Sequence, residues 1–524
     1  MIELKAGQNT ALAAEVVVFG AKGEAALDVS ALVVADNFRV FDSDDFVFYN
    51  QPATAGVRLS GGEVTIRLTE VRGDARSVLL VVSADPAAPA RSGGLGTVTA
   101  RLTGNGAPLA EFITTPAFGE DALICLELYR RGDGWKVRAI GQGYAGGLAV
   151  LLTAHGVEVD GEPEDESPEV TPASAAHTMS APPAAVAGGA PLEVEHGLER
   201  LWMIFEDAAR SAAALVSSLD YAARRLDNEL SAAVSDPATR NTPAAEAARQ
   251  AAQRRSDELI AQAEGNHHRD STHLMREIAD ADRILPPALA SWDSPAWDGE
   301  AVPSDGIRLG ELYALDRGRL RVPYCVPIPL TRPLWIDTET SAAAAPVVGA
   351  LLARLIAAAP DRHTVIDMID LTRSFTGFAG LLTPMLYGPP ITDHSDISAR
   401  LQALVDAAEL AEIAYNSNAF TPPTEHRVLL AADFPHGYQA SDVTRIGLLM
   451  ARGELIGLSI VIVGTDESDS PDSTLAMLAQ NCRHLPTIEG TPLFDPWTGS
   501  PWLLDLDLLP TEPERQARLL RNNH

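Results

Sequence analysis

Between Glu158 and Glu195 the chain has almost nothing to bury. The run Glu162-Pro163-Glu164-Asp165-Glu166-Ser167-Pro168-Glu169 is followed by Ala181-Pro182-Pro183-Ala184-Ala185, with few large apolar groups between them. Such a stretch cannot repay the entropy of ordering, so residues 158–195 are expected to form an acidic, Pro/Ala-rich disordered linker. One continuous core for all 524 residues is therefore excluded. At roughly 100–200 residues per domain, the length predicts about three domains.

On the amino-terminal side, apolar residues come in short β-rich runs. Val16–Phe19, Phe46–Tyr49, Val64–Leu68 and Val78–Val82 are separated by Gly, Asp, Asn and Pro, and further runs lie near Val98–Leu102, Leu123–Tyr129 and Trp135–Ile140. This spacing predicts a β-sandwich over residues 1–157. Beyond the acidic stretch the period changes. Leu198, Leu201, Phe205, Ala208, Ala212, Leu215, Leu219, Ala222, Leu226 and Leu230 recur in steps of three and four. A long helix follows from that stripe, broken at Asp236-Pro237 and Asn241-Thr242-Pro243 before a second helical stretch from Ala244 to Leu285. Residues 196–290 thus read as a helical hairpin or coiled coil, whose narrow apolar seam predicts self-association or a helical partner.

After Gly306, apolar strands alternate with helices. Leu334–Ile336, Thr364–Ile369, Arg427–Ala431 and Leu458–Val463 are interleaved with helical stretches at Ala345–Ala359, Asp396–Tyr415 and Ser441–Ala451. The expectation for residues 300–512 is a doubly wound α/β domain. The fold class expected overall is multidomain α+β: sandwich, central hairpin, carboxyl-terminal α/β domain.

Charge and cysteines narrow the setting. Asp and Glu number 71 against 40 Lys and Arg, a net charge of −31, which opposes a general nucleic-acid binder. Cys125, Cys325 and Cys482 form no CxxC pair, so neither a disulfide framework nor a thiolate zinc site is expected, and a reducing cytoplasm fits. No export signal and no membrane span are read; the apolar stretch Pro346–Pro360 contains Arg354 and falls short of about 20 residues.

Gly141-Gln142-Gly143-Tyr144-Ala145-Gly146 has the GxGxxG spacing of a dinucleotide fingerprint. The helix after it would span only about two turns and no βαβ units follow, so a structural turn is expected. The same region carries a different likeness. Glu127–Arg131 and Trp135–Tyr144 with Gly147-Leu148, the block Asp45-Phe46-Val47-Phe48-Tyr49-Asn50-Gln51-Pro52, and Leu27–Ala31 occur in the order found in the TerD family. This amino-terminal part resembles that family, which implies a β-sandwich of tellurite-resistance and stress-response systems that often binds calcium. The resemblance breaks where calcium matters. Val57–Val64 stands where the family carries a carboxylate-rich loop, and a hard cation wants six to eight oxygens. Asp28, Asp45 and Glu63 are the remaining weak calcium candidates, with Asp42 and Asp44 nearby in sequence; no cofactor is expected, calcium being the alternative.

Arg427–Pro435, Leu448–Gly453 and Gly457–Val463 resemble, in degenerate form, the Walker B strand, helix and following strand of FtsK-like P-loop ATPases. A phosphate cradle needs GxxxxGK[ST], because glycines let backbone amides converge and Lys neutralises charge. Trp335-Ile336-Asp337-Thr338-Glu339-Thr340-Ser341-Ala342 has neither Gly nor Lys. In the Walker B position Ala432-Asp433-Phe434 offers Asp433 as a vestigial magnesium residue in one register and Ala432 in the other. Either way one element is missing, which argues against turnover. His267, His268 and His273 lack one-face ligand spacing and are expected on a solvated helix surface. Asp367 and Asp370 are possible paired carboxylates, or ordinary strand-end residues. The function expected is a non-catalytic scaffold or sensor of a tellurite-resistance or stress system, its partners being proteins of that system. The alternatives are an FtsK-like nucleotide-driven component and a calcium-responsive TerD-type sensor.

Overall fold

The computed structural model describes residues 1–84, 95–117, 119–132, 134–157, 197–235, 240–300, 302–417, 419–488, 490–495 and 500–520. The expected linker, 158–195, lies outside the described residues. The chain divides into two compact units. The first is the described part of Met1–Glu193, Asp207–Asp270 and Pro496–Ser500, and the second that of Val194–Glu206, Ser271–Asp495 and Pro501–His524.

In the first unit the β-rich runs build two sheets. The seven-stranded sheet has the order Ile2–Leu4, Ala107–Thr114, Val98–Gly104, Val16–Gly23, Glu63–Arg67, Val57–Ser60, Ala53–Thr54. The six-stranded sheet has the order Asn9–Leu12, Gly134–Ala145, Glu120–Arg131, Ser77–Ala84, Leu27–Val34, Phe46–Val47. Phe19, Ile66 and Leu102 of the first share one core with Val33, Leu80, Leu123 and Val137 of the second. Successive residues point to opposite faces, so Leu32, Val34, Leu79, Val81 and Ile124 face away from that core. They pack instead with Val150 and Leu151 of helix Gly147–Ala154 and with Ala209, Ala213 and Ala214 of helix Leu198–Val234. Burial on both faces explains why Leu27–Val34 and Ser77–Ala84 read as continuous apolar runs, not as alternation.

The glycine motif ends strand Gly134–Ala145, with a register shift opposite Ile124 and Leu126, and its last residue, Gly146, at a left-handed φ of 87°, makes the turn into helix Gly147–Ala154. Gly141 takes a left-handed φ of 75°, and a Cβ on Gly143 would overlap the Glu120 carboxyl group. These glycines permit a bulge within the strand and, at Gly146, the expected structural turn.

Helices Leu198–Val234 and Pro243–Asp282 form where the stripe and its breakers place them. Within the first unit the former is docked against the six-stranded sheet through its small residues and two arginine-centred ion pairs. Arg210, fully buried, donates to Glu127 at 2.6 Å and to Asp207 at 2.8 Å, and Arg138 reaches the other oxygen of Asp207. His267 is a correction: it is buried, with Nδ1 2.9 Å from Ser211 Oγ, whereas His268 and His273 are exposed as expected.

His155 is enclosed beside this core, its Nδ1 2.6 Å from the Phe38 carbonyl and its Nε2 3.3 Å from the Tyr144 hydroxyl. Burial pushes its pKa down to about 4; the Phe38 carbonyl and Glu127 oppose that shift, while Arg210 and Arg39 add to it. Above the unfolded pKa of about 6.5 both states are neutral and nothing is lost. As pH falls from there toward 4, only the unfolded chain takes the proton, so stability declines by about 1.4 kcal/mol per pH unit. The thermal transition of the first unit is expected to fall between pH 7 and pH 5, less steeply in His155→Gln; identical slopes in both proteins would refute it.

In the second unit Gly306–Tyr313 pairs antiparallel with Val322–Pro327 and with Ser500–Leu506, in a four-stranded sheet completed by Thr491–Asp495. The strand–helix alternation after Gly306 gave no sign of this sheet. The strands expected to alternate with helices form a parallel sheet in the order His363–Ile369, Glu425–Phe434, Leu458–Gly464, Leu334–Asp337, Arg483–Pro486. Leu429, Ala431, Ile460 and Ile462 share a core with helices Ile397–Asn416, Ala440–Arg452 and Ser473–Gln480. Val428, Leu430, Val461 and Val463, on the opposite face, are equally buried. Helix Ser341–Ala358 is long and apolar enough to cross a membrane, but 72% of it is buried inside the protein, as a core helix would be.

Candidate functional site

The first strand of the parallel sheet sits fourth in its order. From Leu334–Asp337 the chain leaves for the far edge at His363–Ile369, whereas from the neighbouring Leu458–Gly464 it goes the other way, to Arg483–Pro486. Ligands of open α/β sheets bind outside the carboxyl ends of strands at such a reversal, because diverging connections leave a crevice there. Three sets of side chains stand in the strands of this sheet or just beyond their ends.

The first is built around Asp433. A register shift between Ala431 and Phe434 places Asp433 at a left-handed φ of 59°, a conformation that costs a non-glycine residue energy and needs local support. The support is visible. Ser341, at the start of its helix, donates its hydroxyl to Asp433 Oδ1 at 2.7 Å and accepts the Asp433 amide at 3.0 Å. Thr372 gives its amide to Oδ2 and its hydroxyl to Oδ1, each at 2.9 Å. The turn between strand and helix is also closed on itself: the Thr338 amide donates to the Gly464 carbonyl, and the Thr340 amide to the Thr338 hydroxyl.

The second set is Asp367 and Asp370, which take separate partners. Asp367 is buried between Arg400 and Arg427, at 2.8 and 2.7 Å. Asp370 accepts the amides of Ser374 and Phe375 at 2.8 and 3.0 Å; burial, then the charge of Asp433, raise its pKa against those donors. Both carboxylates hold the fold.

The third set is Asp337, Asp466 and His484, whose ligand atoms all lie within 4.8 Å of one another. His484 Nδ1 is 2.7 Å from Asp337 Oδ1 and 3.8 Å from Asp466 Oδ1. In the sequence Asp337 stands out only as part of a segment without Gly or Lys, and Asp466 and His484 do not stand out at all, since 147 residues separate Asp337 from His484. The one signal available was a histidine in the short β-compatible run Arg483–Pro486.

Among the described residues, the calcium candidates are not brought together. Asp28 lies on a strand of the six-stranded sheet, Glu63 on the seven-stranded sheet, and Asp45 in the single turn Ser43–Asp45. Asp45 is buried and accepts from Arg72 at 2.9 Å; burial raises its pKa, with Asp42 adding to the shift and Arg72 opposing it.

A TerD domain model matches residues 1–155. The tellurium resistance protein TerD of an Alcaligenes species is 35% identical over 150 residues, covering 25% of this chain and 78% of that protein. The chain belongs to the TerD family. General stress protein 16U of Bacillus subtilis is 32% identical over 158 residues, covering 78% of its length. Among solved structures, EssC (ATPases 2 and 3) of Geobacillus thermodenitrificans overlays 45% of this chain with 12% identity and a TM-score of 0.33; the chain spans about half, 51%, of the EssC chain.

Within the TerD part, Glu127 and Tyr144 of the carboxyl-terminal signature are buried structural groups. Gln51, from the Asn50-Gln51-Pro52 block, donates to the Ser43 and Phe46 carbonyls at 2.9 and 2.8 Å and so fixes the loop that carries Asp45. The arginines that seat a helix on the TerD sheet, Arg138 and Arg210, went unnoticed in the sequence. An arginine within an Ala-rich helical stripe looks the same whether it is solvated or buried.

Proposed function

We propose that this chain is a non-hydrolysing scaffold or sensor of a tellurite-resistance or stress-response system. In this reading residues 1–157 are a TerD-type β-sandwich, 196–290 a helical hairpin, and 300–512 a doubly wound, P-loop-like domain that has lost its phosphate loop. The two globular ends recruit different protein partners, and the three cysteines, all free, suit a reducing cytoplasm.

One observation carries the reading. A magnesium-nucleotide site needs a free hydroxyl and carboxylate facing the metal, and free amides facing the phosphates. Here Ser341 and Asp433 are spent on each other and on Thr372, and the turn before Ser341 has neither Gly nor Lys. Asp433, not Ala432, is the residue opposite Ser341, so this reading takes the position after it, Phe434, as the place where a catalytic carboxylate is missing. A calorimetric titration of the full chain with magnesium-ATP is expected to show no binding and no rise in melting temperature, since only a ligand of the native state stabilises it. Magnesium-dependent hydrolysis abolished by Asp433→Asn would overturn the proposal in favour of a nucleotide-driven component.

A further inference from the structure

We propose that Asp337, Asp466 and His484 form a binding site for a divalent transition-metal ion with a zinc-like preference for imidazole and carboxylate together. The inference goes beyond the scaffold reading and does not depend on it, since the three residues would hold an ion whether or not the domain binds nucleotide.

Three adjacent parallel strands bring the ligand atoms within 4.8 Å of one another. Asp337 ends strand Leu334–Asp337, Asp466 follows strand Leu458–Gly464, and His484 lies in strand Arg483–Pro486. The hydrogen bonding of the imidazole then points to a cation. Nε2 is 2.9 Å from the Ala479 carbonyl, an acceptor only, so the proton of a neutral ring sits on Nε2. That leaves the Nδ1 lone pair facing Asp337 Oδ1 at 2.7 Å. Two acceptors at that distance repel unless something positive lies between them. A proton satisfies the pair at 2.7 Å; a metal ion about 2.0–2.2 Å from each ligand satisfies Nδ1 and both carboxylates with the two atoms spread further apart.

The surroundings match what such a ligand set needs. The Nε2 contact with a backbone carbonyl is the outer-shell bond that fixes the tautomer of a metal-bound histidine and raises its basicity. Trp335 stacks on the ring with centroids 5.5 Å apart and fixes its plane. The Ser468 amide holds Asp466 Oδ1 at 2.9 Å. The Asp466 side chain is 57% exposed and the other two about a quarter, so coordination positions remain open to solvent. Calcium and magnesium prefer six or more oxygens, whereas one imidazole with two carboxylates suits zinc and its neighbours.

The test is calorimetric titration of zinc chloride into the full, chelator-stripped chain, with calcium and magnesium chlorides as comparisons. One zinc per chain is expected, with affinity reduced in both His484→Gln and Asp466→Asn by at least the roughly 10–100-fold that loss of a mere outer-shell partner causes. His273→Gln, which removes an exposed helix histidine, is expected to leave affinity unchanged. Asp466→Asn keeps the test decisive if His484→Gln unfolds, because its side chain is largely exposed; a zinc-induced rise in melting temperature in the parent, absent in Asp466→Asn, is the second readout. No zinc binding by the parent, unchanged affinity in Asp466→Asn, or equal loss in His273→Gln would overturn the site.

Discussion

Replacing Arg210 with Met is expected to lower the stability of the first unit by about 3–5 kcal/mol, because it leaves a buried carboxylate without its main partner. Arg210 is fully buried, and so is Glu127, to which it donates at 2.6 Å. Its guanidinium also lies 4.8 Å over the Phe38 ring and holds Asp207. Burial alone would push the Glu127 carboxyl up; the Arg210 and Arg138 charges outweigh it and keep its pKa below the ordinary value. Without Arg210 that balance fails, and Arg138 remains engaged by Asp207. At roughly 2–4 °C per kcal/mol for a unit of this size, its calorimetric transition should fall by about 10 °C. The pair differs from the single change. Arg210→Met with Glu127→Leu removes both charges and is expected to recover most of the loss, since a buried ion pair is often worth little more than an apolar substitute. A single change that costs under about 1 kcal/mol, or a double change no better than the single, would mean that the buried pair does not seat the helix.

Gly464→Ala is expected to destabilise the α/β unit by about 3 kcal/mol, at the upper end of the overpacking range. Gly464 ends its strand opposite both Phe434 and Asp337. A Cβ there would overlap the Phe434 carbonyl, which is backbone and cannot rotate away. Relief requires spreading the strands at the point where the bulge carries Asp433. Gly447→Ala is the internal comparison, since a Cβ at that helical position meets nothing within 4 Å. It should stabilise by about 0.5–1 kcal/mol. Chemical denaturation of the two variants reads both signs, and a Gly464→Ala protein as stable as its parent would refute the close-approach argument.

The parts of the fold legible in the sequence were those that rest on local periodicity. The apolar runs at Val78–Val82 and Leu458–Val463 and the helical stripe from Leu198 each lie where the pattern put them. The four-stranded sheet was not legible, because its strands are short and Thr491–Asp495 and Ser500–Leu506 lie far along the chain from Gly306–Tyr313. Nor was the burial of His267, whose helix is polar on most of its surface and gains a hidden face only by packing.

By itself the sequence determined the family of the amino-terminal part, the change of hydrophobic period along the chain, and the absence of Gly and Lys from Trp335–Ala342. These depend on residue type and near spacing, which a linear string records in full. Only the tertiary structure decided that Asp433 is bonded to Ser341 and Thr372, that Arg210 meets Glu127, and that Asp337, Asp466 and His484 come together. Each of those contacts joins residues on separate elements, and strand order, which brings the fifth strand beside the first, has no local signature in the sequence.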